Sequence, residues 1–311
     1  MSNKRALVTG GAGFIGSHLV EALLEKGFSV HVLDNLSMGK RECVPQEATF
    51  FEGDIRDPVQ VQRALEEVDI VFHLAARVAI RDSFNHFYDD AHTNVMGTLN
   101  LLRHCGTRGV KKFVFASSMA VYADSVTPEP IAETYPQEPI SPYGISKLAA
   151  ERYILLMSKQ LGMESICLRY FNVYGPRQSF TLYVGVITVF VQRLQRGQPP
   201  IIFGDGKQQR DFINVKDVVH ATILASESDL KREVLNVGTG TGTSVEHIAH
   251  LLIHKLDPDV KPMYELPHCG EIRNSIADIS KIRRLLGFQP SRRLDDEINE
   301  VIEWIQGHAM A

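Results

Sequence analysis

The sequence predicts an α/β protein, a doubly wound parallel sheet with helices on both faces and a smaller C-terminal lobe. Two observations carry that prediction. Short apolar runs alternate with amphipathic helical stretches through the first two-thirds of the 311 residues, the rhythm of parallel strands joined by crossover helices. A glycine cluster, Thr9-Gly10-Gly11-Ala12-Gly13-Phe14-Ile15-Gly16, falls at the first strand-to-helix junction, where such sheets take phosphate groups.

In chain order, six strands are expected over 6–8, 30–33, 49–51, 70–74, 113–116 and 165–168, each a short apolar or β-branched run bounded by turn formers. Helices are expected near 14–26, 59–67, 92–105 and 144–161, the last rich in Ala, Leu, Glu and Lys. After Arg169 the rhythm breaks. Residues 175–211 combine a helix near 186–196 with Pro199-Pro200 and Gly204-Asp205-Gly206, the signature of loops and a smaller lobe. Gly238-Thr239-Gly240-Thr241-Gly242 opens a helix at Ser244, and an amphipathic helix over 294–305 ends the pattern. No internal repeat, low-complexity tract or interdomain linker is evident.

Composition narrows the partners. Hydrophobic residues at 44% and charged residues at 23% are ordinary globular values, and a net charge of −4 suits neither a nucleic-acid surface nor a polybasic membrane patch. A small molecule is the expected partner. Cys43, Cys105, Cys167 and Cys269 are far apart and form no C-x-x-C pair, so neither a metal site nor a disulfide framework is expected. Reduced thiols fit a cytoplasmic protein. The apolar stretch near the N-terminus is short and interrupted by Gly10, so neither a signal-peptide core nor a membrane span is expected.

Gly10, Gly13 and Gly16 let the backbone turn tightly and approach a pyrophosphate, whose charge is favoured at the helix start that Phe14 and Ile15 open. Asp34 ends the next strand 18 residues after Gly16. A carboxylate there takes the adenosine ribose hydroxyls and repels a 2′-phosphate, and no arginine follows in Asn35-Leu36-Ser37. The fold is therefore read as Rossmann-type and the cofactor as NAD rather than NADP.

Tyr143-Gly144-Ile145-Ser146-Lys147 puts a phenol and an ammonium four residues apart on one helix face. Ionising a tyrosine near neutrality requires lowering its pKa by about 3 units, roughly 4 kcal/mol. An ammonium at about 4 Å supplies on the order of 4 kcal/mol at an effective dielectric of 20. The pair can thus act as a base. The same spacing also occurs on solvated helices with no function, and the glycine loop is what favours the chemical reading.

Together these residues resemble an extended short-chain dehydrogenase/reductase, and within it the nucleotide-sugar epimerases and dehydratases. The resemblance covers almost the whole chain and includes Gly53-Asp54-Ile55-Arg56-Asp57, His73-Leu74-Ala75-Ala76, Ser117-Ser118-Met119-Ala120-Val121-Tyr122, the run from Arg169 to Arg177, and Arg210-Asp211-Phe212-Ile213-Asn214-Val215. It implies that residues 1–170 form an NAD-binding domain carrying the catalytic helix. Residues 171–311 would mainly bind a nucleotide sugar, with some segments returning to the first domain.

The resemblance implies that Asp54 and Ile55 flank the adenine and that Ala75 and Ala76 line the cofactor. It also assigns Asn35, Leu74, Asn94, Ser117 and Tyr170 to the cofactor site. Ser118 resembles the hydroxyl that hydrogen-bonds the reacting sugar oxygen, although a serine at a strand end also reads as a helix cap. On the substrate side, Asn172 resembles an amide contacting the nucleotide phosphates and Arg210 a cation for the diphosphate; Arg210 beside Asp211 equally suits an ion pair. Phe203 is placed to cover a uracil-type base or to pack as a strand residue.

The resemblance also discriminates among reactions. The 4,6-dehydratases carry Asp-Glu directly after the catalytic hydroxyl residue, where this chain has Met119 and Ala120, neither able to move a proton. What remains is chemistry needing only a base and a hydride acceptor, and among such reactions the resemblance implies 4-epimerisation of a UDP-sugar, UDP-glucose with UDP-galactose or their N-acetyl forms. Tyr143 takes the 4-OH proton as C4 gives hydride to NAD, and the 4-keto sugar turns over before hydride returns. Lys147 would hold the nicotinamide ribose and lower the tyrosine pKa. A dehydratase, a reductase, a uronate epimerase or a non-catalytic NAD-binding protein are the alternatives. Helices at 84–105 and 144–161 resemble those of a four-helix homodimer interface.

Two positions depart from the family pattern. His268-Cys269-Gly270-Glu271 has His268 where an arginine commonly grips the diphosphate, and Arg273 is the candidate replacement; Ala123-Asp124 follows Tyr122 in place of a glycine. Ser275, two residues before Ala277-Asp278, resembles a gate beside the sugar 2-substituent. A serine there leaves room for an N-acetyl group.

Overall fold

The alternating pattern resolves into β1 (Arg5–Thr9), α1 (Phe14–Glu25), β2 (Ser29–Asp34), β3 (Thr49–Glu52), α2 (Pro58–Ala64) and β4 (Ile70–His73). The computed structural model describes residues 4–78, 80–125, 127–178, 185–266 and 273–308. Next come α3 (Phe87–Ala91), a π-helical turn at His92–Gly97, α4 (Thr98–Arg108), β5 (Lys112–Ser118), α5 (Pro142–Gln160) and β6 (Glu164–Tyr170). The second part contributes β7 (Asn172–Tyr174), α6 (Val186–Gln195), β8 (Ile201–Phe203), β9 (Gln209–Arg210), β10 (Phe212–Asn214), α7 (Val215–Glu227) and β11 (Glu233–Val237). The small elements β12 (Thr243–Ser244), α8 (Val245–Leu256), β13 (Met263–Glu265), β14 (Asn274–Ser275), α9 (Ser280–Leu286) and α10 (Leu294–His308) follow.

The main sheet is parallel, in the order β11-β6-β5-β4-β1-β2-β3. It has seven strands where the sequence suggests six. The added strand, β11, is short and separated from β6 by more than sixty residues of the second lobe, so local pattern alone gives it no partner. A second addition is α7, whose valines, threonine and isoleucine read as β-formers. It is helical because Asn214 caps it, accepting from Lys216 N at 2.9 Å, and because its apolar face packs on α1.

Burial on both faces explains the continuous apolar strands. One core unites α1, α7 and α9 with the sheet through Leu19, Val20, Val218 and Ile282. The other unites α2, α4 and α5 through Val61, Leu101, Ala150 and Ile154. A third core, with Phe190, Ile248, Ile298 and Ile305, holds α6, α8 and α10 of the smaller lobe.

Candidate active site

Strand order reverses between β1 and β4, and the crevice outside the carboxyl ends of such strands is where this architecture takes ligands. A cavity of about 520 Å³ opens there. Gly10, Gly13, Phe14, Ile15 and Gly16 line it. At Gly16 a Cβ would collide with the Gly10 carbonyl, so only glycine lets α1 start this close to β1. Gly13 is the N-cap of α1 and supplies no side-chain cap, and no acidic residue occupies the first turn. The first-turn amides therefore keep their donors for an anion, which fits a pyrophosphate.

Asp34 lines the same cavity. Its carboxylate accepts from Ala12 N at 3.0 Å and Leu36 N at 2.8 Å, fixing its direction while burial raises its pKa. Asp54, Ile55, Asn35, Leu74, Ala75 and Ala76 continue the wall. Asp54 is gripped by Arg56 through Nη2 at 2.7 Å and Nε at 2.9 Å, and Asn35 Nδ2 donates to it at 3.1 Å. The Arg56 hydrogen bond is the largest cause holding the Asp54 carboxyl down at about 2.

Ser118 ends β5, and Tyr143 and Lys147 come from the first turns of α5; all three line the cavity. Ser141 caps α5 by accepting from Gly144 N at 3.1 Å, and Pro142 suits the first helical position. At Gly144 a Cβ would strike the Ala120 carbonyl. The helix start thus lies against the turn after β5, which brings the phenol to the Ser118 hydroxyl. Ser118 also accepts from Ala120 N at 3.2 Å, so it caps the turn that follows β5.

The charge state of the phenol differs from the sequence expectation. Lys147 Nζ donates to Ala116 O at 2.9 Å, lies over the Phe115 ring at 4.8 Å, and is 5.9 Å from the Tyr143 ring centroid. Burial therefore prevails: it pushes the Tyr143 phenol up to about 12, against the Ser118 hydrogen bond. Burial also brings Lys147 down to about 8, against the raising effect of Asp90 and Glu151.

One turn beyond Lys147, Glu151 is buried with Arg169 of β6. Arg169 donates through Nε at 2.9 Å and Nη2 at 2.6 Å, and Ser117 adds a third donor at 2.5 Å. Ser117 and Tyr170 both line the cavity; the Tyr170 hydroxyl is bonded to Thr222 at 2.7 Å.

Asn172 lies on the cavity wall with Gln178. Other expected site residues lie elsewhere. Asn94 is buried behind the wall, accepting from Arg77 N at 2.8 Å and donating to Arg77 O at 3.0 Å. Phe203 is on β8 opposite Glu265, and Arg210 on β9 opposite Thr243 and Ser275. Arg273 grips Asp205 through two bonds of 2.7 and 2.8 Å, and Ser275 is fully buried. None of these five lines this cavity. His268 is outside the described residues. Sequence reasoning did not select Met38, Val78, Ile80, Arg77, Thr93 or Gln178, which do line it. The signal available for the first three was apolar side chains in otherwise polar loops, 46%, 57% and 42% exposed.

The sequence profile of the NAD dependent epimerase/dehydratase family matches residues 6–238. A putative UDP-glucose 4-epimerase of Methanocaldococcus jannaschii is 39% identical over 303 residues, 97% of this chain and 98% of the relative. The crystal structure of UDP-glucose 4-epimerase from Thermotoga maritima with UDP-glucose superposes with a TM-score of 0.94 at 41% identity, covering 98% of this chain and 99% of that one. A UDP-N-acetylglucosamine 4-epimerase from Methanobrevibacter ruminantium, in complex with UDP-N-acetylmuramic acid, gives 0.93 at 34% identity, covering 99% of each chain.

Proposed function

The chain belongs to the NAD dependent epimerase/dehydratase family, and on that premise we propose that it is an NAD-dependent 4-epimerase interconverting UDP-glucose and UDP-galactose. The observation that carries this reading is that Ser118, Tyr143 and Lys147 share one cavity with the open first turn of α1 and Asp34. NAD, when bound, supplies the hydride acceptor for sugar C4 and a positive charge that favours the phenolate.

The chain's own residues do the rest. The amides at the start of α1 hold the pyrophosphate, Asp34 takes the adenosine ribose hydroxyls, and Asp54 and Ile55 flank the adenine. Tyr143 removes the 4-OH proton and later returns it, while Ser118 donates a hydrogen bond to the same oxygen. Lys147, anchored on Ala116 O, holds the nicotinamide ribose. The side chains of Met119 and Ala120 can neither donate nor accept a proton, which disfavours elimination of water.

N-acetyl sugars are a second reading, supported by the similarity to the Methanobrevibacter enzyme. On the same reading residues 1–170 hold the cofactor, and residues 171–311, with Asn172, Phe203, Arg210, His268 and Arg273, mainly hold the nucleotide sugar. The protein acts in the cytoplasm as a homodimer. Support for the dimer is the exposed apolar set Phe87, Tyr88, Met96, Tyr153 and Leu156 on adjacent helices.

Proton NMR of the protein mixed separately with UDP-glucose, UDP-galactose and their N-acetyl and uronate forms tests the reading. Interconversion of the C4 epimers without net NADH is expected. Steady NADH accumulation, or no epimer from any of these sugars, would overturn it.

A further inference from the structure

The segment from Arg77 to Asn94 walls the cavity with Arg77, Val78, Ile80 and Thr93 and is fastened to α5 at two buried points. At the first, Tyr143 N donates to Ser83 Oγ at 3.2 Å, and Ser83 in turn donates to Ile80 O at 2.6 Å. At the second, Asp90, only 1% exposed, accepts from the Ser146 hydroxyl with one oxygen and from Asn94 Nδ2 at 3.1 Å with the other. Asn94 carries that contact on to both backbone groups of Arg77. Ser146 stands between Tyr143 and Lys147 in the helix. The cavity wall and the helix that carries Tyr143 and Lys147 therefore meet at one carboxylate.

A strut needs no charge here. A neutral group could accept these hydrogen bonds without the cost of burying a carboxylate. What the charge adds is a field on its neighbours: Asp90 raises the pKa of both Tyr143 and Lys147. Other ionisable groups around the pair are already neutral or paired. His73 of β4 is held uncharged by burial, and Glu151 of α5 is paired with Arg169 of β6, though it adds a smaller raising effect on Lys147. The Tyr170 phenol of β6 is pushed up by burial and so stays neutral, as does the Cys167 thiol behind it. Burial raises the pKa of Asp90 itself, and the Ser146 hydrogen bond, Lys147, the Asn94 hydrogen bond and, from the cavity wall, Arg77 oppose that rise and favour its charged form.

We propose that Asp90 is a positioning residue for epimerisation, a buried carboxylate that locks the cavity wall to α5 and supplies the fixed negative charge beside Tyr143 and Lys147. This rests on the reading of that pair as base and partner. Removing the charge lets both groups lose a proton more readily, so both pKa values fall.

The test is the pH profile of kcat for wild type, Asp90→Asn and Ser146→Ala. In Asp90→Asn both limbs are expected to move toward acid by about one pH unit. In Ser146→Ala, which cuts the strut but keeps the charge, turnover is expected to fall with the limbs in place. Lower turnover in Asp90→Asn with unmoved limbs would reduce Asp90 to a strut and overturn the proposal. A second readout needs neither cofactor nor sugar: in the nucleotide-free protein the Lys147 ε-carbon resonance is expected to titrate near 8 and, in Asp90→Asn, about one unit lower. An unchanged midpoint would overturn the proposal even if no sugar were epimerised, whereas failure to epimerise alone would sink only the functional reading. Asp90→Ser replaces the amide if Asp90→Asn does not fold. Failure of both, with Ser146→Ala and Asn94→Ala folded, would make the carboxylate a folding requirement and also overturn it.

Discussion

Tyr143 and Lys147 illustrate how far single residues can be read. Their spacing is visible in the sequence, but the destination of the ammonium is not, because Ala116 O lies on a strand 31 residues away. A phenol near 12 is by itself a poor base near neutrality. Tyr143→Phe is expected to lower kcat at least about a hundredfold with the thermal transition unchanged; near wild-type turnover would remove Tyr143 from the base role. His73 gives a prediction about acid. Its two ring nitrogens are bonded to Thr9 Oγ1 at 2.7 Å and Thr98 Oγ1 at 2.8 Å, and burial lowers its pKa to about 3. Folding keeps this ring neutral while the unfolded chain protonates it near 6.5, so its contribution is complete above 6.5 and declines as pH falls toward 3. At pH 4.5 the loss is about 3 kcal/mol from this group. Urea unfolding at pH 7 and pH 4.5 should show that decrement in wild type, and His73→Gln should lack it.

At the level of elements, the glycine loop, the strands up to β6 and the helix carrying Tyr143 follow from local pattern, while β11 and α7 do not. Their partners, β6 and α1, are remote in sequence, and tertiary packing overrides propensity in α7. The same distance hides the brace on α5. Glu151 and Arg169 are 1% and 2% exposed in their side chains and make a two-bond ion pair, so each alone would be an uncompensated buried charge. Glu151→Ala is expected to cost about 3 to 5 kcal/mol, and the double variant Glu151→Leu, Arg169→Met to recover much of it. Denaturant midpoints of wild type, single and double variants check this; a double variant no more stable than Glu151→Ala would contradict it.

For the whole molecule, sheet order sets the site: the reversal between β1 and β4 brings the glycine loop, Asp34 and α5 to one crevice. Nucleotide released from the purified protein by denaturation is expected to be NAD(H), because the Asp34 carboxylate is fixed by two backbone amides and repels a 2′-phosphate. Chromatography that found stoichiometric NADP(H) would contradict this. The cavity wall made by the glycine loop, Asp34, Asp54 and Ala75 was legible because these residues belong to compact strand-turn motifs. The position of Phe203, Arg210 and Ser275 outside that cavity was not legible, because they sit on two- and three-residue strands whose placement depends on long-range pairing. The late edge strand also matters during synthesis. When Tyr170 leaves the ribosome, β6 has one side paired and the other bare, and Val237 follows 67 residues later. At about 5 to 20 residues per second the nascent chain exposes that edge for roughly 3 to 13 s, an interval in which slower translation of this stretch would prolong the opportunity for chaperone capture or for pairing with a neighbouring nascent chain.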